Sequence, residues 1–197
     1  MTFECAWVAA LALLASGWAA RGSEAADAPT DAVRAAYLGG PGEEDAWDLA
    51  IHPSGDVIVV GWSLSFELPL EDGSIHQSLG GADAFVARLS PSLETLVSLT
   101  ILGGAGEDLA LCLDVADDGT VVVGGLTASF DFPVTENAWD GEHDGFSRDA
   151  FIAWVDTDPQ VPMEERVRYA TLVGDIGEDA CVDLKVGPGG AVTAVGY

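Results

Sequence analysis

A glycine-rich phrase recurs three times along the chain and constrains its fold more than any other feature. The copies begin at Leu38, Leu102 and Leu172 and read LGGPGEED, LGGAGED and LVGDIGED. The first two copies are 64 residues apart, and the turn glycines Gly55 and Gly119 have the same spacing. The second and third copies are 70 residues apart, whereas later landmarks are 71 apart, which predicts a one-residue insertion inside the third copy. Self-similarity at a long period predicts a solenoid, a propeller or an array.

Between the phrases, the apolar residues follow the pattern of β-strands. Trp47, Leu49 and Ile51 alternate with small or acidic residues, and a period of two is typical of a strand. Glycine turns then lead into valine-rich runs, which are apolar on both faces and therefore predict strands covered on both sides. A fourth apolar run begins with the pattern Asp-Ala-Phe, at Asp83 and again at Asp149. Each repeat is therefore predicted to form one sheet of four antiparallel strands.

The predicted fold class is all-β, a partial β-propeller of about three four-stranded antiparallel blades preceded by a signal-like helix. The repeat region is expected over residues 33–197, with blades at about 32–62, 83–126 and 149–197. Closed propellers have about 4 to 8 blades. Because three blades do not close a ring, the sequence favours a truncated piece of a longer chain or closure by association.

The N-terminus has the pattern of a secretory signal peptide. Residues 6–20 are almost wholly apolar, which suits a signal core and is shorter than the ~20 residues that span a bilayer. We expect a signal peptide at 1–25, a linker at 26–32, and a secreted or cell-surface protein, periplasmic or extracellular, with no membrane span after signal removal. Before the apolar run the chain has Glu4 and no Lys or Arg, which departs from the usual basic start.

The charge of the chain narrows its partners. There are 33 acidic against 7 basic residues, which gives a formal net charge of −26. This charge repels phosphate backbones and anionic lipids, so nucleic acid is not an expected partner. Acidity of this kind suits a salt-rich medium, a divalent cation or plain solubility, and charge alone does not choose among these.

Two cysteines remain after removal of the predicted signal, which contains Cys5. Cys112 and Cys181 occupy different positions of the repeat, so a cysteine is not a repeated feature of the units. Two buried free thiols are the first interpretation. A disulfide between neighbouring units is the alternative that an exported protein allows.

Several short motifs recur in a fixed order, and together they carry a resemblance. In the second unit they are the phrase at Leu102, the hairpin glycine Gly119, the segment Phe130-Asp131-Phe132-Pro133 and the strand Asp149-Ala150-Phe151. The first unit has Phe66-Glu67-Leu68-Pro69 and Asp83-Ala84-Phe85 at the corresponding places. In these motifs the chain resembles the bacterial β-propeller repeat family often called SBBP, over nearly all of residues 33–197. The resemblance implies an exported or surface-attached propeller and carries no catalytic residues.

Acidic pairs recur with the phrases, at Glu44-Asp45, Glu107-Asp108 and Glu178-Asp179. Catalysis needs a single site, whereas a residue that returns in every repeat serves every repeat. Hydrogen bonding at turns and strand ends is therefore the favoured interpretation, and a repeated Ca²⁺ site is the alternative.

The loops that precede the Asp-Ala-Phe runs, Ser63 to Ala82 and Thr127 to Arg148, differ among the units, and loops on a rigid scaffold often carry function. In the second unit Asp140, Glu142 and Asp144 place oxygen ligands at alternate positions ahead of a glycine, as the first half of an EF-hand loop does. They are the candidate Ca²⁺ ligands, and Ca²⁺ is the one cofactor considered. The twelfth position of such a loop is Phe151 instead of Glu, which removes the bidentate ligand.

Other candidates for chemistry are weaker. Trp139 is a candidate for stacking on a sugar or a partner's side chain, or for covering a blade edge. His52, His76 and His143 have no Cys or His at metal spacing, which disfavours zinc, and His143 is expected on a solvated loop.

These patterns favour a non-enzymatic, exported propeller module that acts as a binding or structural scaffold within a larger secreted or surface protein. Its expected partners are further blades or domains of a longer chain, and a protein or glycan ligand. The alternative is a fragment of a propeller enzyme, a glycan hydrolase or lyase with its site on missing blades. A truncated reading frame without independent activity is a third interpretation.

Overall fold

The computed structural model describes residues 35–65, 67–69, 75–77, 80–143, 145 and 147–197, with the backbone alone at 67–69 and 75–77. The predicted signal peptide at 1–25, its helix and the linker at 26–32 lie outside the described residues. So do Phe66 and Asp144.

Strands account for nearly all of the regular secondary structure among the described residues. The strands are β1 (Glu44–Ile51), β2 (Val57–Ser63), β3 (Glu67–Pro69), β4 (Ile75–Gln77), β5 (Asp83–Leu89), β6 (Leu96–Leu102), β7 (Asp108–Val115), β8 (Val121–Thr127), β9 (Asp149–Val155), β10 (Val167–Val173), β11 (Cys181–Val186) and β12 (Val192–Gly196). Single turns of 3-10 helix lie at Met163–Glu165 and Pro188–Gly190. The predicted all-β class is confirmed.

Hydrogen bonding joins these strands into antiparallel sheets. Sheet 1 has the order β1-β2-β5-β6, and sheet 2 has the equivalent order β7-β8-β9-β10. Sheet 3 consists of β11 and β12, and β3 pairs with β4 in a separate small hairpin. The predicted sheet of four antiparallel strands is therefore present twice.

The sheets are offset by one hairpin from the predicted blade bounds. Sheet 1 runs from residue 44 to 102 and sheet 2 from 108 to 173, instead of starting new units at 83 and 149. The strand expected at 32–38 starts outside the described residues, and Ala36 alone forms a bridge in its described part. A repeat period gives the spacing of strands but not which connection stays within a sheet. Here the long loop before each Asp-Ala-Phe strand connects two strands of the same sheet, β2 to β5 or β8 to β9. The glycine phrase connects one sheet to the next.

The strand register also corrects the alignment of the third phrase. Ala84 on β5 pairs with Leu102 on β6, and the equivalent Ala150 on β9 pairs with Val173 on β10. Val173, not Leu172, is thus the counterpart of Leu102, and the step is 71 residues from there onward. The extra residues lie in the earlier loops, and the insertion predicted inside the phrase is wrong.

Every sheet repeats a β-bulge opposite a glycine. The first strand shifts register after Ala46, after Ala110 and after Cys181, and these residues pair with Gly61, Gly125 and Gly196. A Cβ at any of these glycines would lie 1.9–2.0 Å from a carbonyl oxygen of the bulged strand or its approach. Only glycine allows the two backbones to come so close.

The second and third strands of sheets 1 and 2 are buried on both faces. Between the two sheets lies one apolar core that includes Ile58, Val86, Val123, Phe151 and Leu172. A second core covers the far face of sheet 1, and a third lies between sheets 2 and 3. Burial on both faces explains why these strands are near-continuous apolar runs instead of alternating ones.

The first strands of successive sheets lie next to one another. Strand β7 packs against β1, β2 and β5, and β11 packs in turn against β7 and β8. Carboxylates join these first strands, since the N–H of Leu113 donates to Asp48 at 2.9 Å and the N–H of Val186 donates to Asp114 at 2.8 Å. The sheets therefore stack with their first strands on the same side.

The cysteine thiols meet between sheets 2 and 3. Cys112 and Cys181 are buried and unbridged, with their Sγ atoms 3.8 Å apart. The hydrogen bond to Cys181 and burial raise the pKa of the Cys112 thiol. Their side chains fill the gap beside Gly124, where a Cβ would lie 2.5 Å from the Cys181 Sγ.

The bulge and its glycine generate the first prediction. Replacing Gly125 with Ala should lower the free energy of unfolding by about 3 kcal/mol, because the new Cβ meets the Leu109 carbonyl oxygen at 2.0 Å. The control is Gly141→Ala, whose Cβ would have Val134 Cγ2 at 3.6 Å as its nearest neighbour. Thermal unfolding should separate the two by about 6–12 °C. Equal melting temperatures would contradict the bulge geometry.

Candidate functional site

The three glycine phrases lie at one end of the stacked sheets, together with the loops that join second and third strands. The backbone N–H of Leu64 donates to Glu43, and that of Ala128 donates to Glu107, at 2.8 and 2.7 Å. Each phrase thus bonds to the long loop of its own sheet. We call this surface, formed by residues 39–43, 103–107 and 174–178 and the described parts of loops 64–82 and 128–148, the glycine end.

The phrases also bond across to the previous sheet. The N–H of Asp108 donates to the Ala82 carbonyl at 2.7 Å, and the N–H of Asp179 donates to the Arg148 carbonyl at 2.8 Å. Ala82 and Arg148 both precede an Asp-Ala-Phe strand. The same bond therefore joins sheet 1 to sheet 2 and sheet 2 to sheet 3.

A buried carboxylate organises each phrase. Asp108 accepts hydrogen bonds from the Thr127 hydroxyl, from Ser129 at 2.7 Å and from the Gly104 N–H at 2.8 Å. The Ser129 hydroxyl accepts in turn from the Gly106 N–H at 2.8 Å. We call this arrangement the carboxylate clamp, since it fixes the phrase to the end of β8.

Sheet 1 repeats the carboxylate clamp with a longer side chain. Glu44 accepts from the hydroxyls of Ser63 and Ser65, and Ser65 accepts from the Gly42 N–H at 2.9 Å. In the third phrase Asp179 accepts from the Asp175 N–H at 3.1 Å. The acid at or just before the start of each first strand thus accepts hydrogen bonds within the protein, as the turn interpretation of the acidic pairs predicts.

The equivalent acids are Glu44, Asp108 and Asp179, so the sequence pairing of Glu44 with Asp45 is off by one position. In the first phrase the counterpart of Glu107 is Glu43. Burial raises the pKa of the Asp108 carboxyl, and the bonds from Thr127, Gly104 and Ser129 oppose this only in part. The clamp therefore holds a carboxyl that ionises less readily than an exposed one.

The other acid of each later pair faces solvent and is bridged. Arg148 places its Nη2 2.5 Å from Glu107 and its Nη1 3.1 Å from Glu178. The hydrogen bond to Glu107 raises the pKa of Arg148, burial opposes the rise, and the bond to Glu178 adds to it. The bridge joins two phrases, but an exposed ion pair contributes at most about 1 kcal/mol.

An open groove of about 610 Å³ lies beside this bridge. Its lining includes Gly106, Phe130, His143, Arg148 and Glu107. Phe130 is 74% exposed although its ring rests on His143, with ring centroids 4.8 Å apart. The groove thus combines an exposed aromatic face with charges of both signs.

The side chain of His143 is buried, with 2% of its surface exposed, whereas the sequence pattern predicted that the residue lies on a solvated loop. Its Nδ1 accepts from the Gly145 N–H at 3.0 Å, and its Nε2 lies 3.3 Å from the Thr127 carbonyl oxygen. Because Nδ1 accepts, Nε2 is the ring nitrogen placed to donate to the Thr127 carbonyl oxygen. The Nδ1 atom of His143 also lies 3.9 Å from an Asp149 carboxylate oxygen. The ring forms the floor of the groove beneath Phe130.

The candidate calcium ligands are only partly described. Asp140 accepts the Glu142 N–H at 3.1 Å in a local turn, and its backbone bonds to Thr171 on β10. Asp144 lies outside the described residues. Among the residues that the structure describes, no group of three or more His, Cys, Asp or Glu side chains is placed to hold a metal ion. The calcium site stays a prediction.

Trp139 stands next to this turn and is 76% exposed. Its backbone N–H donates to the Tyr169 hydroxyl at 3.0 Å, which fixes the position of the residue. The sequence singled out this tryptophan, gave Phe130 only as part of a repeated motif, and gave no signal for Arg148 or for the position of His143 under Phe130. Their assembly depends on contacts between distant parts of the chain.

Comparison with protein-family models and with curated proteins finds no match to this chain.

Within the described part of the chain, no helix has the length and apolar character needed to cross a bilayer.

The carboxylate clamp generates the second prediction. Asp108→Ala should lower the free energy of unfolding by about 2–4 kcal/mol, because it leaves buried donors without an acceptor. Asp108→Asn should cost less, since its amide oxygen still accepts. Chemical denaturation of both variants and the wild type measures the difference.

The pH dependence of the same pair has a defined sign. Because the folded-state pKa of Asp108 is raised, the contribution of this group to stability is present below the unfolded value of about 3.9 and is lost as pH rises through the folded value. Asn does not titrate, so the stability of Asp108→Asn relative to wild type should increase over that window. A decrease over the same window would contradict a raised pKa.

Proposed function

We propose that this chain is part of an exported β-propeller of the SBBP repeat type, and that it acts as a non-enzymatic binding or structural scaffold. Three arrangements support the propeller. Sheets 1 and 2 have the same strand order, the second and third glycine phrases each lead from the last strand of one sheet to the first strand of the next, and first strand β7 packs against both β1 and β11. In this proposal further sheets of a longer chain complete the ring. The apolar run at residues 6–20 is the basis for export.

The distribution of acids carries the scaffold proposal. The repeated acids Glu44, Asp108 and Asp179 are occupied by hydrogen bonds that hold the phrases in place. Arg148 occurs once, since the first unit has Ala82 at the equivalent place, and it lies at the glycine end beside Phe130. A rigid stack with unlike loops at one end suits binding, since scaffold-borne loops commonly carry recognition.

We place the ligand contact in the groove beside Phe130. An exposed aromatic ring on a fixed base suits the apolar face of a sugar or a partner's side chain, and aromatic residues often dominate binding energy. The neighbouring Arg148 and Glu107 supply polar contacts at its rim.

A binding comparison tests this proposal. Labelled full-length chain is applied to immobilised panels of glycans and peptides, and hits are titrated with Phe130→Ala and with Ile51→Ala. Ile51 is an exposed apolar residue at the opposite end of β1, which makes it the matched control. Phe130→Ala should weaken binding about tenfold, and Ile51→Ala should leave it unchanged. Equal affinities for the two variants, or release of cleaved sugar from the glycan panel, would contradict the proposal.

A further inference from the structure

The third sheet has an open edge. Among the described strands, β12 pairs with β11 alone. Tyr197 exchanges backbone hydrogen bonds with Ala180 on the β11 side, and the Ala191 carbonyl accepts from Gly187 on that side. Because backbone groups alternate between the two edges of an antiparallel strand, those of Val192, Ala194 and Gly196 point to the other edge.

An apolar trench of about 360 Å³ runs along this edge. Sheet 2 contributes Ala150, Ile152 and Val173 to its lining, and β12 contributes Val195 and Gly196. Trp139 stands at its rim. The trench thus lies between the outward backbone groups of β12, which no described strand pairs, and the apolar face of the preceding sheet.

The same place is occupied in sheets 1 and 2. There the second strand pairs with an Asp-Ala-Phe strand, so that β2 pairs with β5 and β8 with β9. The phenylalanine lies opposite the bulge glycine in both, with Phe85 at Gly61 and Phe151 at Gly125. Gly196 is the third glycine of this set.

The preceding face follows the same template. Ala84, Val86 and Leu102 of sheet 1 are the counterparts of the trench residues Ala150, Ile152 and Val173. All three counterparts are completely buried, in the core that contains Phe151 of the next sheet. The internal repeat therefore indicates that a strand of the Asp-Ala-Phe type would cover the trench.

We propose that the free edge of β12 binds an extended strand of the pattern Asp-Ala-Phe-aliphatic-Ala-x-aliphatic, antiparallel to β12 and with its phenylalanine opposite Gly196. The backbone bonds supply affinity, and the apolar trench receives alternate side chains, as in other cases of strand addition. This inference rests on the repeat architecture proposed above, and it names the segment that completes sheet 3.

The occupant is a strand from outside the described sheets. A second copy of this chain is not the donor, because its own Asp-Ala-Phe strands β5 and β9 lie at the centre of their sheets. Releasing either strand would break hydrogen bonds on both of its edges.

The test uses the full chain and a fluorescein-labelled peptide that copies residues 82–90, ADAFVARLS. Fluorescence anisotropy should show saturable binding of one peptide per chain. A peptide with Ala in place of its Phe should bind at least tenfold more weakly. Binding should also shift the emission of Trp139 to shorter wavelength in the wild type but not in Trp139→Phe.

Two substitutions of one edge residue separate backbone from side-chain effects. Ala194→Pro removes an outward N–H and should weaken binding at least about tenfold, equivalent to about 1.4 kcal/mol. Ala194→Val keeps the N–H and matches Val59 and Val123 of sheets 1 and 2, so it should retain binding. If Ala194→Pro does not fold, the two peptides still decide the matter on the wild-type chain.

Several outcomes would overturn the proposal. These are absence of peptide binding, equal binding of the two peptides, and equal binding by Ala194→Pro and Ala194→Val. Dimers that Ala194→Pro abolishes and the peptide does not dissociate would instead assign the edge to a second copy. Phe130→Ala should bind the peptide normally, so failure here is distinguishable from failure of the ligand groove.

Discussion

Apolar side chains on both faces of the central strands are the constraint on which the rest of the structure depends. Val57–Ser63 and Val121–Thr127 are buried almost throughout, so neither sheet 1 nor sheet 2 can leave a face in water. Each sheet needs neighbours, and burial of apolar area at roughly 25 cal/mol per Å² drives the stacking. The bulges and the carboxylate clamps determine how the sheets are arranged, whereas apolar burial drives their stacking.

Two repeated devices set the geometry of that stack. The bulge opposite Gly61, Gly125 and Gly196 brings first and second strands unusually close, which increases the local twist. The carboxylate clamps fix the glycine phrases, so each next sheet begins in the same place. With a net charge of −26, the chain still buries Asp108, because the donors of the clamp compensate in part for the lost solvation.

The sequence predicted what depends on local pattern. The period, the valine-rich strands and the hairpin glycine Gly119, whose φ is +90°, follow from spacing and from backbone sterics. The turn role of the acids also followed, since a residue repeated in each unit serves each unit. The offset of the sheets was missed, because a period does not say which connection crosses between sheets.

Features that depend on long-range contacts were beyond the sequence. The position of His143 beneath Phe130 arises from packing between a loop and the end of β8, and a local pattern carries no record of it. The meeting of Cys112 with Cys181 likewise needs the sheets to be stacked before the distance is defined. The counterpart of Leu102 became clear only from strand pairing, since Leu172 and Val173 suit the position equally by composition.

The central claim is that the sheets are covered on both faces and that β12 has no partner strand at its outer edge among the described strands. Hydrogen exchange of individual backbone amides tests this claim most directly. The amides of β8 should all exchange slowly, because both of its edges are paired and both of its faces are covered. In β12 protection should alternate, slow at Thr193 and Val195 and fast at Ala194 and Gly196. Uniform protection along β12, or alternation along β8, would contradict the account.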